Sequence, residues 1–123
     1  MDSIKKTPLL SIIIPSFNSL DKLKSCLVSI KNQTFKDFEL ICIDDGSKVN
    51  TLKILEEIEK KDYRIKVIAK EINEGLAVAR NESLKLAKGK YITFLDGDDI
   101  YDTALFEKAV ELAEKEKQDS EEN

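Results

Sequence analysis

The strongest constraint on this chain is a fourfold alternation of short apolar runs with stretches of helical spacing. "LLSIIIPS" is a β-branched run closed by Pro15, the pattern of a strand buried on both faces. Leu20, Leu23, Leu27 and Ile30 then recur at helical spacing, with Asn18 or Ser19 placed to cap the start. "FELICIDDGS" (38–47) reads as a second buried strand ending in an acidic, glycine-containing turn. Leu52, Leu55 and Ile58 mark a second helix, and "RIKVIA" (64–69) a third strand. An alanine-rich helix is expected from Leu76 to Lys88, with Lys85 and Lys88 in its last turn and Gly89 as its C′ residue. "KYITFL" (90–95) is the fourth strand. A last helix is expected from Thr103 to Lys115, with Leu105, Phe106, Ala109, Leu112 and Ala113 on its apolar side.

The order β-α-β-α-β-α-β-α suits right-handed crossovers, so the expected fold is α/β, a mostly parallel sheet with helices on both faces. The 123 residues fit one domain, placed at 1–115, and the charged tail 116–123 is expected to fray into solvent. A net charge of −4 gives no basic surface for nucleic acid. The longest apolar run falls far below the roughly 20 residues of a spanning helix. Lys5 and Lys6 precede it, but no small-residue cleavage site follows, which argues against a signal peptide. Cys26 and Cys42 lie among apolar neighbours and read as buried small hydrophobes rather than a disulfide or metal pair. Absence of histidine removes zinc chemistry and histidine-based general bases from this chain. The expected location is cytoplasmic.

In open parallel sheets ligands collect at the carboxyl ends of the strands. The unusual residues fall there: "PSFN", "DDGS", "NEG" and "DGDD". Asp96, Asp98, Asp99 and Asp102 crowd into seven positions, where like charges repel. One reading makes them a polar turn and a helix cap, which suits Asp102. The other lets alternate carboxylates converge on a hard divalent cation, Mg²⁺ or Mn²⁺. A calcium loop fails, because Ile100 and Tyr101 stand at the fifth and sixth positions. A haloacid-dehalogenase-type phosphatase remains a weaker alternative, since its Asp-x-Asp opens the fold whereas this one follows the fourth strand. Neither GxGxxG nor GxxxxGK[ST] is present, so phosphates would be held by a metal.

"SIIIPSFN", "SIKNQTFKDFELICIDDGS" and "NEGLAVARNESLKLAKGKYITFLDGDD" together resemble the inverting family 2 glycosyltransferases of the GT-A, Rossmann-like fold. The likeness runs over residues 8 to 115, the nucleotide-sugar-binding half. It implies that Pro15 and Phe17 line the nucleoside pocket and that Asp45 contacts the base, usually uracil. Asp44 is ranked lower, as a structural tie for its turn. Asn73, Gly75 and Arg80 match an N-x-G-x-x-x-A-R-N segment whose arginine faces either the nucleotide or solvent. Asp98 would be the direct metal ligand. Asp96 would reach the ribose or a water on the metal, and Asp99 would assist from behind.

By the same resemblance, the donor is a nucleotide-diphosphate sugar, a UDP-sugar above all. The cofactor is Mn²⁺ or Mg²⁺, and the reaction is inverting hexosyl transfer in surface polysaccharide or glycan synthesis. The acceptor is a glycan or a lipid-linked molecule, which would place the protein at the inner face of the membrane. The family's catalytic base lies in a further stretch that this chain is expected to lack, so no catalytic residue is assigned. Glu107, Glu111 and Glu114 read as the solvated face of the last helix. The alternative is a non-catalytic nucleotide-binding module, and a homodimer is the expected assembly.

Overall fold

Parallel pairing organises the strands of the protein, seen here in a computed structural model that describes residues 7–15, 20–45, 49–70 and 74–122. The elements are β1 (Leu10–Ile14), α1 (Leu20–Lys31), β2 (Phe38–Asp45), α2 (Val49–Lys61), β3 (Ile65–Lys70), α3 (Leu76–Leu86), β4 (Tyr91–Phe94) and α4 (Leu105–Glu122). The four strands form one parallel sheet in the order β3-β2-β1-β4. The alternation read from the sequence thus gives the expected α/β sheet. The proposed caps Asn18 and Ser19 lie outside the described residues.

The chain clusters into two compact units, one of residues 1–16 and 37–95, the other of residues 17–36 and 96–123. The first holds the sheet with α2 and α3. β1 is central, paired with β2 and β4, and every one of its five residues is buried. Ile13, Ile41, Ile43 and Ala79 of α3 form a fully buried cluster, with Ile68 and Ala87 packed against it. β4 is an edge strand: Ile92 and Phe94 remain 42% and 39% exposed.

α3 ends earlier than the sequence suggested. Its C-cap is Ala87, in extended conformation, so Lys88 and Gly89 lie beyond the helix. Gly89 is not a left-handed C′ residue, since Gly75 is the only described glycine with positive φ, at 99°. Close approach explains Gly89 instead: a Cβ there would meet the Ser11 amide nitrogen and Oγ at 2.6 Å. Around it, the Gly89 N–H donates to Ser11 Oγ, and Ser11 Oγ and the Lys88 N–H both donate to the buried Glu39 carboxylate. Lys66 Nζ lies 3.6 Å from the same carboxylate. A buried charge is tolerable when surrounded by donors in this way.

The second unit holds α1, α4 and the stretch 96–104. Leu23, Leu27 and Ile30 of α1 are buried as their spacing implies. α4 departs from expectation twice. It continues through Glu122, so the stretch read as a frayed tail is helical up to that residue. Its buried residues are Phe106 and Val110, whereas Leu105, Ala109 and Leu112 are exposed. The Glu, Lys and Gln residues of 114–118 favour helix without needing a core contact, with Glu111 four residues before Lys115 as a favourable pair.

Candidate nucleotide and metal site

Because all four strands run the same way, their carboxyl ends share one edge of the sheet. Pro15 follows β1 and is buried. Asp45 closes β2, in register with Lys70 of β3. Phe17 and Asn73 lie outside the described residues. Arg80 is exposed on α3, with its guanidinium carbon 5.3 Å from the Phe94 ring centroid, a cation–π distance.

Asp44 was ranked below Asp45 as a tie for its turn, and the turn that follows, 46–48, lies outside the described residues. Asp44 is 1% exposed, and both carboxylate oxygens are buried with no hydrogen-bond partner among the described residues. Burying a carboxylate without donors is costly, so such a group calls for a partner. Apolar flanks in "ELICIDD" gave the sequence reading no means of telling that Asp44 is buried.

In the helical unit, Asp96 is the next residue in the chain after Leu95, whose N–H donates to Ile13 O. The Asp98 N–H donates to Asp96 Oδ1 at 2.8 Å, closing a tight turn over the buried Gly97. The Asp99 N–H reaches Asp96 O at 3.4 Å. Asp102 caps α4 as expected: its Oδ1 accepts from the Ala104 N–H at 2.9 Å and its carbonyl from the Leu105 N–H at 3.1 Å. The sequence thus splits its acids between a cap and a turn.

Negative charge concentrates at that turn. The Cys26 thiol donates to Asp96 O at 3.7 Å, and its pKa is pushed up to about 11, first by burial and then by Asp99, Asp96 and Asp98. The Tyr101 hydroxyl is also raised, by burial foremost, against a lowering hydrogen bond from Asp96. Among the described residues, no group of three or more His, Cys, Asp or Glu side chains is arranged to hold a metal. Two carboxylates on one turn nevertheless suit Mg²⁺ or Mn²⁺, which keep waters and take further oxygens from a diphosphate. Asp96 and Asp98 therefore supply oxygen donors of the type that such an ion takes.

Sequence reasoning overlooked the polar face of α1. Cys26 and Ser29 of α1, and Gln33 two residues past its end, are buried and bond to the stretch that carries the acids. For Cys26 and Ser29 the signal was present: a spacing of three residues places them on the same side of the helix as Leu23, Leu27 and Ile30.

The family model for "Glycosyl transferase family 2" matches residues 11–120. The "Uncharacterized glycosyltransferase EpsJ" of Bacillus subtilis (strain 168) is 42% identical over 108 residues, 88% of this chain and 31% of that protein. An Escherichia coli protein, "UDP-Glc:alpha-D-GlcNAc-diphosphoundecaprenol beta-1,3-glucosyltransferase WfaP", is 41% identical over 109 residues, 89% of this chain and 43% of its own length. Among solved structures, S. aureus TarS 1-349 in complex with UDP superposes with a TM-score of 0.77 at 32% identity, covering 87% of this chain and 32% of that one. The chain therefore spans about a third to two fifths of the length of these relatives. No helix among the described residues is long and apolar enough to cross a membrane.

Proposed function

Since the chain belongs to glycosyl transferase family 2, we propose that it is the donor-binding part of an inverting glycosyltransferase acting on a UDP-sugar. The phosphatase alternative gives way to that family membership. The observation that carries the proposal is the Asp96–Gly97–Asp98 turn, set directly after β4 and closed by its own hydrogen bond. On this reading residues 1–115 form the nucleotide-sugar-binding domain. Pro15 and Phe17 line the nucleoside pocket, Asp45 accepts from the base, Arg80 faces the nucleotide, and Asp96 reaches the ribose. The Asp44 carboxylate, buried with no hydrogen-bond partner among the described residues, is in keeping with a polar group being met at the end of β2.

Asp98 and Asp96 would hold the Mn²⁺ or Mg²⁺. When bound, that ion would neutralise charge gathering on the departing nucleotide diphosphate. The acceptor, a glycan or a lipid-linked molecule of surface polysaccharide synthesis, would be met in the cytoplasm at the inner face of the membrane. The WfaP name, with its UDP-glucose donor and diphosphoundecaprenol-linked acceptor, supports this choice. The base that takes the acceptor proton would come from the portion of the relatives' length that this chain does not match.

A second reading is a nucleotide-binding module without transfer. Titration calorimetry tests the feature common to both. UDP should bind in the presence of Mn²⁺ and lose most of its affinity in excess chelator. Equal binding in chelator would remove the metal from the account.

A further inference from the structure

We infer that Tyr101, backed by the polar face of α1, is a positioning residue that holds the Asp96–Gly97–Asp98 turn in its ligand-binding shape before any ligand arrives. The inference deepens the metal reading above and rests on it. A single hydroxyl accounts for both backbone polar groups of Asp96: it accepts from the Asp96 N–H and donates to the Asp96 carbonyl, each at 2.9 Å. The ring that carries it lies five residues further along, in a stretch without regular structure. Such a stretch has no ladder of its own to fix it, so side chains must do so.

Tyr101 is itself held from α1. Its N–H donates to Ser29 Oγ at 3.1 Å, and that hydroxyl donates to Cys26 O at 2.7 Å. The Cys26 thiol adds a contact to Asp96 O. Gln33, fully buried, extends the seam: its Nε2 donates to Asp102 O at 2.6 Å and its Oε1 accepts from the Phe106 N–H at 3.1 Å. Buried polar groups on α1 and just past its end are costly unless bonded, and here their partners lie on the helix itself and between Asp96 and Phe106. The path therefore runs from α1 through Tyr101 to the backbone between the carboxylates. Fixing that backbone during folding spares binding the entropy of ordering it, and metal ligands tolerate little misplacement.

Tyr101→Phe removes the hydroxyl and keeps the ring, so the test compares it with the native chain well below the melting transition. The first measurement is amide exchange by NMR on metal-free protein. Exchange of the Asp96 N–H should speed up by about tenfold or more in the variant. The second is calorimetry with UDP, with and without Mn²⁺. The Mn²⁺-dependent affinity should fall by about tenfold, as for loss of two ordinary hydrogen bonds, while affinity in chelator stays at the native value. A merely structural role would lower the melting temperature and leave the affinity of the folded protein untouched. Unchanged Asp96 exchange, or unchanged Mn²⁺-dependent affinity, would overturn the inference. If the native chain bound UDP equally with and without Mn²⁺, the metal reading would fall instead, and the exchange measurement would still decide whether Tyr101 holds the turn.

Discussion

Gly89 and Asp102 are the residues whose roles the geometry defines most narrowly. A methyl group at Gly89 would fall 2.6 Å from the Ser11 amide nitrogen, a backbone atom of the central strand that has no room to move aside. Gly89→Ala should therefore cost about 1–3 kcal/mol, the range for overpacking, read as a lower urea midpoint with an unchanged slope. Asp102→Asn keeps a capping oxygen, so it should change stability by about 1 kcal/mol or less and leave UDP affinity alone. A large loss of UDP affinity in that variant would mean that the acids are wrongly divided. The sequence made Asp102 legible, because an aspartate just before an apolar helical stripe has a local reason to be there. It misread Gly89, since a glycine after a helix suggests a cap whereas the reason lies 78 positions away at Ser11. The burial of Asp44 was hidden for a similar cause, since it depends on the neighbouring strands rather than on local sequence.

At the scale of elements, β1 and β2 were legible because central strands buried on both faces leave continuous apolar runs. β4 was found as a strand, but its edge position was not evident, since "KYITFL" looks as apolar as a central strand. α4 was misjudged in length and in face. Its buried stripe is Phe106 and Val110, four residues apart, with Ala113 partly buried beside them. Leu112 points away at 59% exposure. Phe106→Ala should accordingly cost about 3–5 kcal/mol in chemical denaturation. Leu112→Ala should stay within about 0.5 kcal/mol of the native value. A reversal of that order would show that α4 packs on its other face. Charged residues past Lys115 looked like a tail because they bury little, yet good helix formers need no core contact to prolong an established helix.

For the whole molecule, β4 leaves one strand edge with no further neighbour among the described residues, and Ile92 and Phe94 stand exposed on it. Open edges with apolar side chains recruit partners, so this chain should run as a dimer by light scattering coupled to size exclusion. Ile92→Lys should shift it towards monomer, and a native chain that is monomeric at high concentration would contradict this. With a radiolabelled UDP-sugar and mixed acceptors, the chain alone should transfer no sugar, because no general base is assigned within it. Robust transfer would place the base among residues described here as surface. The central claim is narrower: the turn after β4 binds a divalent cation together with a nucleotide diphosphate. The most direct measurement is electron paramagnetic resonance of free Mn²⁺ during titration with protein and UDP, for the native chain and Asp98→Asn. The account predicts that native protein with UDP depletes the free Mn²⁺ signal beyond what UDP alone does, and that Asp98→Asn abolishes the excess. Equal depletion by the two proteins would contradict it.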